Sequence, residues 1–313
     1  MELRQLKSLL ALSESGFNVS RAADRLCLVQ SAVSQHLARL EEEIGVELFV
    51  RRGKRLVSLT GAGERVLGYA RAALAATENI TAVGRDHVED VAGVLRIATT
   101  HTQARYVLPP LVAAFRDEYP RVALEIHQGT PDALVDMASK GQVDFAITTE
   151  NLGPKPSPPK SSLVARTCYR WNRSLVVLPD HALARRRPLT LDVIAEYPLV
   201  THVFAFSVGS RLRAGFHRLG LRPHVALGAM DTGVIKTYVR QGLGVGIVAS
   251  MAREPGVDDD LAFRDLSHLF PWEMTRIVYL RDKYLRRFQQ RFMQLLQTRV
   301  MDDGSFLLSG DRR

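Results

Sequence analysis

The sequence predicts an α+β protein in which a pair of short helices, one long helix and two αβ lobes follow one another along the chain. Apolar residues recur at helical spacing as far as Ile44, and a second helical pattern without a strong breaker spans residues 61–91. From residue 92 onward, strand-like apolar runs alternate with helical ones, the rhythm of a mostly parallel sheet. These three observations divide the chain into a helical head, a rod and a larger αβ region.

The composition is that of an ordinary globular protein, with 46% apolar and 24% charged residues in a chain of 313 residues. This length allows two or three domains, and the composition excludes global disorder. The 42 Lys+Arg residues exceed the 33 Asp+Glu residues and give a formal charge of +9. Such an excess favours a polyanionic partner, whether DNA, anionic small molecules or a membrane surface.

The sequence shows no targeting or cross-linking pattern. There is no run of about 18 apolar residues that could cross a membrane, and the start MELRQLKSLL is unlike a secretory signal. We therefore expect a cytoplasmic protein that does not insert into membranes. Cys27 and Cys168 lie far apart in the chain. We expect neither a disulfide nor a zinc site, and we interpret both thiols as small buried hydrophobic groups.

The head contains a first helix ended by Gly16 and then the stretch NVSRAADRLCLVQSAVSQHLARL, residues 18–40. Its apolar spacing predicts two short helices joined by a tight turn, the second starting near Gln30 or Ser31 with a hydroxyl as its cap. The remaining face of that second helix carries groups that can bond to base edges and phosphates: Gln30, Ser31, Ser34, Gln35, His36 and Arg39. This pattern indicates a helix-turn-helix whose second helix reads DNA. The alternative is an amphipathic pair whose polar face only meets water.

A basic turn follows the helix pair. Two short strands are predicted at Leu48–Val50 and Leu56–Leu59, and Gly53 allows a tight reversal between them. The turn carries four cations, Arg51, Arg52, Lys54 and Arg55. They form either a solvated loop or the wing of a winged helix-turn-helix, whose contacts to phosphates would position the domain while the helix specifies the sequence. Residues 1–60 would form this DNA-binding domain.

Residues 61–91 form the predicted rod, in which apolar or small residues recur about every 3.5 positions. A helix of this length would reach about 40 Å. The seam consists of Val66, Leu67, Ala70, Ala73, Leu74, Thr77, Ile80 and Val83. Such a seam needs a partner, either the same helix of a second subunit or the core of its own domain.

Residues 92–300 form two predicted αβ lobes with a cleft between them. We place lobe I at about 92–165 and 269–300, and lobe II at about 166–268. The segment GPKPSPPKSS, residues 153–162, has four prolines among polar residues and predicts an extended surface loop near a crossing between lobes. The tail, residues 301–313, is expected to lack regular structure.

A polar turn in lobe I suggests a binding site. In IATTHTQARYVLP, residues 97–109, a strand ends, polar residues follow and a helix begins. Thr99, Thr100, Thr102 and Gln103 supply hydroxyl and amide donors beside open helical N–H groups, a combination that suits a sulfate, phosphate or carboxylate. The alternative is that these threonines only cap the helix.

No catalytic or metal-binding residues are predicted. His101 has no nucleophile or orienting partner in the sequence, so we interpret it as an ordinary turn histidine. GLGVGIVA, residues 242–249, matches a dinucleotide fingerprint only weakly, because a helix precedes it and a strand follows. Considered alone, the second half could still be a solute-binding protein or an anion-processing enzyme module.

The chain resembles the LysR-type transcriptional regulators over nearly its whole length. The resemblance rests on NVSRAADRL, VQSAVSQHLARLEEEIGVELFVR and the later LTGAGE. It implies a winged helix-turn-helix, a linker helix that pairs two subunits, and a two-lobed effector domain like a periplasmic binding protein. It also implies double-stranded promoter DNA as a partner, a homodimer or homotetramer, and no enzymatic activity.

A narrower resemblance is to the CysB/Cbl branch of that family, activators of sulfur-assimilation genes. It rests on ATTHTQARY, YPRV, KGQVDFAITTE, CYRWNR, YPLVT and VIKTYVRQGLGVGIVAS. It implies control of sulfur-assimilation or organosulfur-use genes and an effector such as sulfate, N-acetylserine or adenosine phosphosulfate. The site residues carried over are Thr100, Thr102, Gln103, Thr149 and Ser207. The serine at 207, the run FSVGSR and the proline-rich insertion depart from the pattern, so an unrelated anionic effector remains the alternative.

Overall fold

The computed structural model describes residues 1–53, 55–86, 91–149, 163–207 and 209–298. The chain forms two compact units, one of residues 1–88 with 282–284, the other of residues 89–281 with 285–313. The predicted proline-rich loop, the predicted tail and Lys54 lie outside the described residues. In the described part of the chain, no helix is long and apolar enough to cross a membrane.

The first unit begins with three helices and a two-stranded hairpin. Their side chains meet in one core, in which Leu9, Leu12, Ala22, Val33 and Leu40 are fully buried. The hairpin strands pair antiparallel, and Gly53 adopts a φ of +60° in the turn, a conformation that favours glycine. The elements are α1 (Leu3–Glu14), α2 (Val19–Leu26), α3 (Gln30–Ile44), β1 (Phe49–Arg52) and β2 (Arg55–Leu59).

The long helix α4 (Gly61–Asp86) completes this unit, and its predicted seam is divided between two environments. Leu67, Ala70 and Leu74 are buried in the core that α1 to α3 form. Further along, Ile80 and Val83 are 73% and 41% exposed. The seam was predicted to have one partner, but Leu67, Ala70 and Leu74 pack on their own domain while Ile80 and Val83 near the end of the helix are left open.

Lobe I of the second unit is built on a five-stranded sheet in the order β4-β3-β5-β12-β6. Strands β3, β4 and β5 are parallel, whereas β12 runs antiparallel to both of its neighbours. The elements are β3 (Gly93–Thr99), α5 (His101–Tyr106), α6 (Leu108–Glu118), β4 (Val122–Gln128), α7 (Pro131–Ser139), β5 (Phe145–Thr149), β6 (Leu163–Trp171), β12 (Glu273–Leu280) and α11 (Arg287–Thr298).

Lobe II is built on a second five-stranded sheet in the order β11-β7-β10-β8-β9. Strand β8 is parallel to β9 and β10, and β7 is antiparallel to β10 and β11. The elements are β7 (Arg173–Val177), α8 (Leu191–Ala195), β8 (Leu199–His202), α9 (Arg211–Arg218), β9 (Val225–Ala229), α10 (Thr232–Arg240), β10 (Val245–Ala249) and β11 (Ala262–Asp265).

The first crossing between the lobes lies at Asn172, later than the predicted boundary near residue 165. Strand β6 continues to Trp171 in the sheet of lobe I, and β7 starts at Arg173 in the sheet of lobe II. Asn172 itself is 1% exposed, and its amide donates to the carbonyl of Phe270 on the returning segment. Neither β6 nor β11 was predicted, because both are edge strands whose mixed burial gives no clear alternation.

The two cysteines are free thiols, but the prediction that both are buried is wrong for Cys27. Cys27 is exposed because it occupies the left-handed position that ends α2, with a φ of 54°. Cys168 is partly buried, and burial raises the pKa of its thiol to about 11.

Candidate functional site

The residues that were predicted to read DNA lie on α3. Gln30, Ser31, Ser34, Gln35 and Arg39 are all exposed, because the helix turns its apolar face into the core of the first unit. His36, which belonged to the same predicted face, instead accepts or donates a 2.8 Å hydrogen bond with Ser8 of α1. The face is therefore polar and accessible, with amides and hydroxyls at the positions that the sequence indicated.

The predicted hydroxyl cap of α3 is not made. The N-cap residue is Val29, which has no side chain able to bond to the open N–H groups and is 68% exposed. By contrast, the Asn18 side chain caps α2 by accepting from the backbone N–H of Arg21 at 3.1 Å. Helix α3 therefore begins at Gln30, as the sequence indicated, but without a side-chain cap.

One of the four cations predicted on the wing is held in an ion pair, which the sequence did not indicate. Arg51 lies 2.5 Å from the carboxylate of Glu41 on α3, and the same carboxylate accepts from the backbone N–H of Leu48 at 2.8 Å. Arg51 therefore connects the hairpin to α3. Arg52 and Arg55 are paired across the hairpin and exposed.

The second candidate site is a cavity of about 260 Å³ between the two lobes of the second unit. All five predicted effector residues line it: Thr100, Thr102, Gln103, Thr149 and Ser207. They meet because Thr99 at the end of β3 pairs with Ile147 on β5, so that the ends of these two strands adjoin. Ser207 approaches from lobe II and is exposed.

The threonines of the polar turn have both capping and lining roles. The Thr100 hydroxyl accepts from the backbone N–H of Gln103 at 3.5 Å and so caps α5. The Thr102 hydroxyl lies 3.0 Å from that of Thr232, which begins α10 in lobe II, and Thr232 lies 3.3 Å from Nε2 of His202. This chain of hydrogen bonds crosses from one lobe to the other.

The Gln103 side chain already makes two hydrogen bonds within the protein, which the sequence did not indicate. Its Nε2 donates to the Thr275 hydroxyl at 3.2 Å, and its Oε1 accepts from the Tyr169 hydroxyl at 2.7 Å. Burial raises the pKa of Tyr169, so this phenol stays protonated and remains a donor. Gln103 therefore holds the floor of the cavity, and its amide is already bonded at both ends.

His202 lines the cavity as a neutral imidazole. Burial lowers the pKa of its ring to about 4, and weaker contributions from the backbone near Ala229 and Met230 oppose that effect. The ring also stacks on Phe204, with centroids 5.1 Å apart. It adds a donor or acceptor but no positive charge near neutral pH. Within the described ranges, no group of three His, Cys, Asp or Glu residues could hold a metal ion.

A charged cluster in the cavity was not predicted as part of the site. Arg173 donates to Glu273 at 2.5 Å, and Arg211 approaches the second oxygen of Glu273 at 3.6 Å. Trp171 pairs with Glu273 across the sheet and also lines the cavity. Two of these residues belong to the motif CYRWNR, but the motif carries no local signal of an ion pair with a residue 100 positions away.

Comparison with protein families gives two matches. A model described as the LysR substrate binding domain matches residues 89–301, and a model described as a bacterial regulatory helix-turn-helix protein of the lysR family matches residues 3–64. Together they cover both units of the chain.

The chain is similar to several transcriptional regulators over most of its length. It is 42% identical over 294 residues to the HTH-type transcriptional regulator CysB of Haemophilus influenzae, covering 94% of this chain and 89% of that protein. It is 39% identical over 295 residues to the HTH-type transcriptional regulator cbl of Klebsiella aerogenes, covering 94% and 92%. It is 38% identical over 295 residues to the HTH-type transcriptional regulator SsuR of Burkholderia cenocepacia, covering 94% of each.

Solved structures agree with these relationships. The cofactor-binding domain of the Cbl transcriptional regulator is 39% identical and superposes with a TM-score of 0.61, covering 69% of this chain and 92% of that one. Full-length OxyR from Pseudomonas aeruginosa, 21% identical, covers both chains completely with a TM-score of 0.70 and supports the fold alone. The chain therefore belongs to the LysR family of bacterial transcriptional regulators.

Proposed function

We propose that this regulator activates sulfur-assimilation or organosulfur-use genes in response to sulfate or a small sulfur-pathway metabolite. The observation that carries the proposal is the cleft between the lobes. Residues expected from sequence to bind such an anion, far apart in the chain, line one cavity of about 260 Å³. The resemblance to the CysB and Cbl regulators supports an effector that comes from sulfur metabolism.

Binding of promoter DNA is assigned to the first unit. The exposed amides and hydroxyls of α3 would read base edges, while Arg52 and Arg55 on the wing would contact phosphates. Arg51 would act indirectly by holding the wing against Glu41. Lys54, predicted to contact phosphate with them, lies outside the described residues.

We assign the open part of α4 to pairing with a second subunit, in a homodimer or homotetramer. Ile80 and Val83 leave an apolar strip exposed on a helix that has already used Leu67 and Leu74 for its own core. A second copy of the same helix would cover this strip. Two reader helices would then face DNA together.

The effector would act by favouring one arrangement of the oligomer. A ligand can shift such an equilibrium only through a difference in affinity for the two arrangements. The hydrogen bond between Thr102 and Thr232 links the lobes directly. An anion that accepts a hydrogen bond from the Thr102 hydroxyl would replace this bond. Binding in the cavity would therefore be coupled to the arrangement of the two lobes.

The test is isothermal titration of the full-length protein with sulfate, N-acetylserine and adenosine phosphosulfate. At least one should bind with a 1:1 ratio per chain, and Thr102→Val should weaken that binding about tenfold or more, since it removes one hydroxyl donor from a buried anion. Thr237→Val is the matched control, because Thr237 is exposed on α10 and does not line the cavity. No binding of any of the three would contradict the sulfur assignment and leave an unrelated anion as the effector.

A further inference from the structure

A chain of hydrogen bonds leads from His202 to a threonine of the cavity. Nε2 of His202 lies 3.3 Å from the Thr232 hydroxyl, which lies 3.0 Å from the Thr102 hydroxyl. Thr102 and His202 line the cavity, and Thr232, which joins them, is buried. Each threonine hydroxyl has one proton and can donate only one hydrogen bond. The direction of both bonds is therefore set by His202.

The two possible directions have opposite consequences for an anion. If Nε2 of His202 accepts, Thr232 donates to it and Thr102 donates to Thr232, so Thr102 offers the cavity only oxygen lone pairs. If Nε2 carries a proton, it donates to Thr232, Thr232 donates to Thr102, and the Thr102 proton is left for a ligand. An anion selects this second direction. A neutral imidazole permits either direction, whereas an imidazolium, with N–H groups on both nitrogens, permits only the second.

The charges that line the cavity favour a proton on His202 when an anion binds. Both arginines that line it face the same carboxylate, that of Glu273. Among the described lining residues, two cations and two carboxylates cancel in formal charge: Arg173, Arg211, Asp132 and Glu273. A dianion such as sulfate would therefore bring two negative charges into a cavity without a net positive charge, and a proton on His202 would offset one of them.

The surroundings of the His202 ring act on its proton in both directions. Burial lowers the pKa of the ring to about 4, and the nearby Arg173 acts in the same direction. The backbone at Ala229 and Met230 and the carboxylate of Asp231 act in the opposite direction. An anion bound at the threonines adds a further negative charge near the ring, so it raises the pKa of His202.

We propose that the effector anion binds together with a proton, which His202 takes up from solvent, and that His202 thereby turns the Thr102 hydroxyl toward the anion. The anion replaces the bond that Thr102 donates, and the protonated ring allows Thr232 to donate a new one to Thr102 in the reverse direction. His202 is a positioning residue, since it acts through Thr232. This inference rests on the proposed effector site and deepens it.

Isothermal titration of the full-length protein with sulfate, at several pH values from about 7.5 to about 5, tests the inference. Sulfate remains a dianion over this range, so a change in affinity comes from the protein. Because the pKa of His202 is higher with the anion than without it, the affinity should rise as the pH falls, by up to about tenfold for each pH unit below the pKa of the bound state. An affinity that stays constant or falls toward pH 5 would overturn the inference.

Proton uptake is measured directly by repeating the titration near pH 5.5 in two buffers with different heats of ionisation. The difference between the two binding heats gives the number of protons that the complex takes up. The parent protein should take up a substantial fraction of one proton per sulfate bound. Binding without proton uptake would contradict the inference, since a histidine with a purely structural role changes no protonation on binding.

Two variants test the role of the hydrogen-bond chain. His202→Gln keeps an amide that can bond to Thr232 but cannot take up a proton, so its affinity for sulfate should not change with pH. Thr232→Val leaves the imidazole in place and removes only the hydroxyl that joins it to Thr102. It should remove most of the pH dependence and weaken binding near pH 5.5 by about threefold or more. Full pH dependence in Thr232→Val would show that the ring acts by charge alone and would overturn its positioning role.

His181→Gln is the matched control. His181 is a histidine of lobe II that accepts from the backbone N–H of Leu183 at 3.1 Å and is not among the residues that line the cavity. This variant should keep the pH dependence and the proton uptake of the parent protein. Loss of both in His181→Gln would assign the proton to a different group and overturn the inference.

The inference and the proposal on which it rests fail in different ways. If sulfate binds with the same affinity at every pH and binding is weakened by Thr102→Val, the effector site stands and only the inference fails. If sulfate binds at no pH, the inference fails together with sulfate as the effector.

Discussion

The face of α3 that we propose reads DNA, called the reader face below, and the cleft between the lobes are built in opposite ways. The reader face is one exposed surface of one helix, and each of its residues makes few contacts with the rest of the protein. The cleft is assembled from both lobes, and Thr102, Gln103 and Glu273 in it are bonded to side chains of other elements. Substitutions on the reader face should therefore change DNA binding without changing stability, whereas substitutions in the cleft should change both stability and ligand binding.

The largest effect is expected where the cleft holds its buried charges. Glu273→Leu leaves Arg173 as an uncompensated buried cation, which should lower the free energy of unfolding by about 3–5 kcal/mol. Urea unfolding followed by tryptophan fluorescence is a suitable measurement, because the only two tryptophans, Trp171 and Trp272, lie in the second unit. The double variant Arg173→Met with Glu273→Leu should regain most of the loss. A double variant no more stable than the single one would contradict this account.

His202 should make the free energy of unfolding depend on pH, with an effect comparable in size to that of Glu273→Leu. Its pKa is about 4 in the folded protein, below the usual 6.5, so the unfolded chain binds a proton that the folded protein excludes. The contribution of neutral His202 to the free energy of unfolding is therefore fully present above pH 6.5. It is lost as the pH falls toward 4, which lowers the free energy of unfolding by up to about 3 kcal/mol.

The measurement is urea unfolding at a series of pH values between 7.5 and 4.5. His202→Gln, which cannot take up the proton, should be less sensitive to pH over this range than the parent protein. The same slope in both proteins would show that other groups cause the pH dependence.

The reader face should show smaller effects that leave folding intact. Gln35→Ala should reduce discrimination between bases at one position of a selected duplex by about 1–3 kcal/mol. Arg52→Ala should instead weaken binding evenly across sequences and reduce the slope of log affinity against log salt by about 1.

Gel-shift titrations at several salt concentrations measure both quantities, with duplexes selected from a random pool. Arg51→Ala provides the contrast, since it should also loosen the hairpin that Glu41 holds. A uniform loss of affinity for Gln35→Ala would show that Gln35 positions the helix and does not read a base.

The same contrast explains what the sequence could predict. Helical periodicity depends on neighbours three and four positions apart, so the exposed face of α3 followed from the local pattern. The polar turn at Thr100 and Thr102 was also visible locally, because a strand, a cluster of hydroxyls and a helix start are consecutive. Thr149 and Ser207 came only from the resemblance to a known family.

What the sequence could not predict depends on pairing between distant segments. The bond from Gln103 to Thr275 joins residues 172 positions apart, and the ion pair of Arg173 with Glu273 joins residues 100 apart. No local pattern encodes such partners. The sequence could not predict that the seam of α4 is divided, for the same reason. The burial of Leu67 and Leu74 depends on the core formed by distant segments of the chain.

The smallest expected effect concerns the start of α3, where the exposed and buried parts of the head meet. Val29 has the extended backbone of an N-cap residue, with φ −78° and ψ 148°, but lacks a side-chain acceptor. Val29→Thr keeps the branched shape and adds a hydroxyl that can accept from an open N–H group, which should stabilise the first unit by about 1 kcal/mol.

Hydrogen exchange of the amides in the first turn of α3 measures this gain directly. Val29→Ala removes both γ-methyl groups without adding an acceptor, so it should give no protection. Tryptophan fluorescence should not change, since both tryptophans belong to the second unit. Equal protection in the two variants would show that the exposed valine side chain, and not the missing cap, limits the stability of the reader helix.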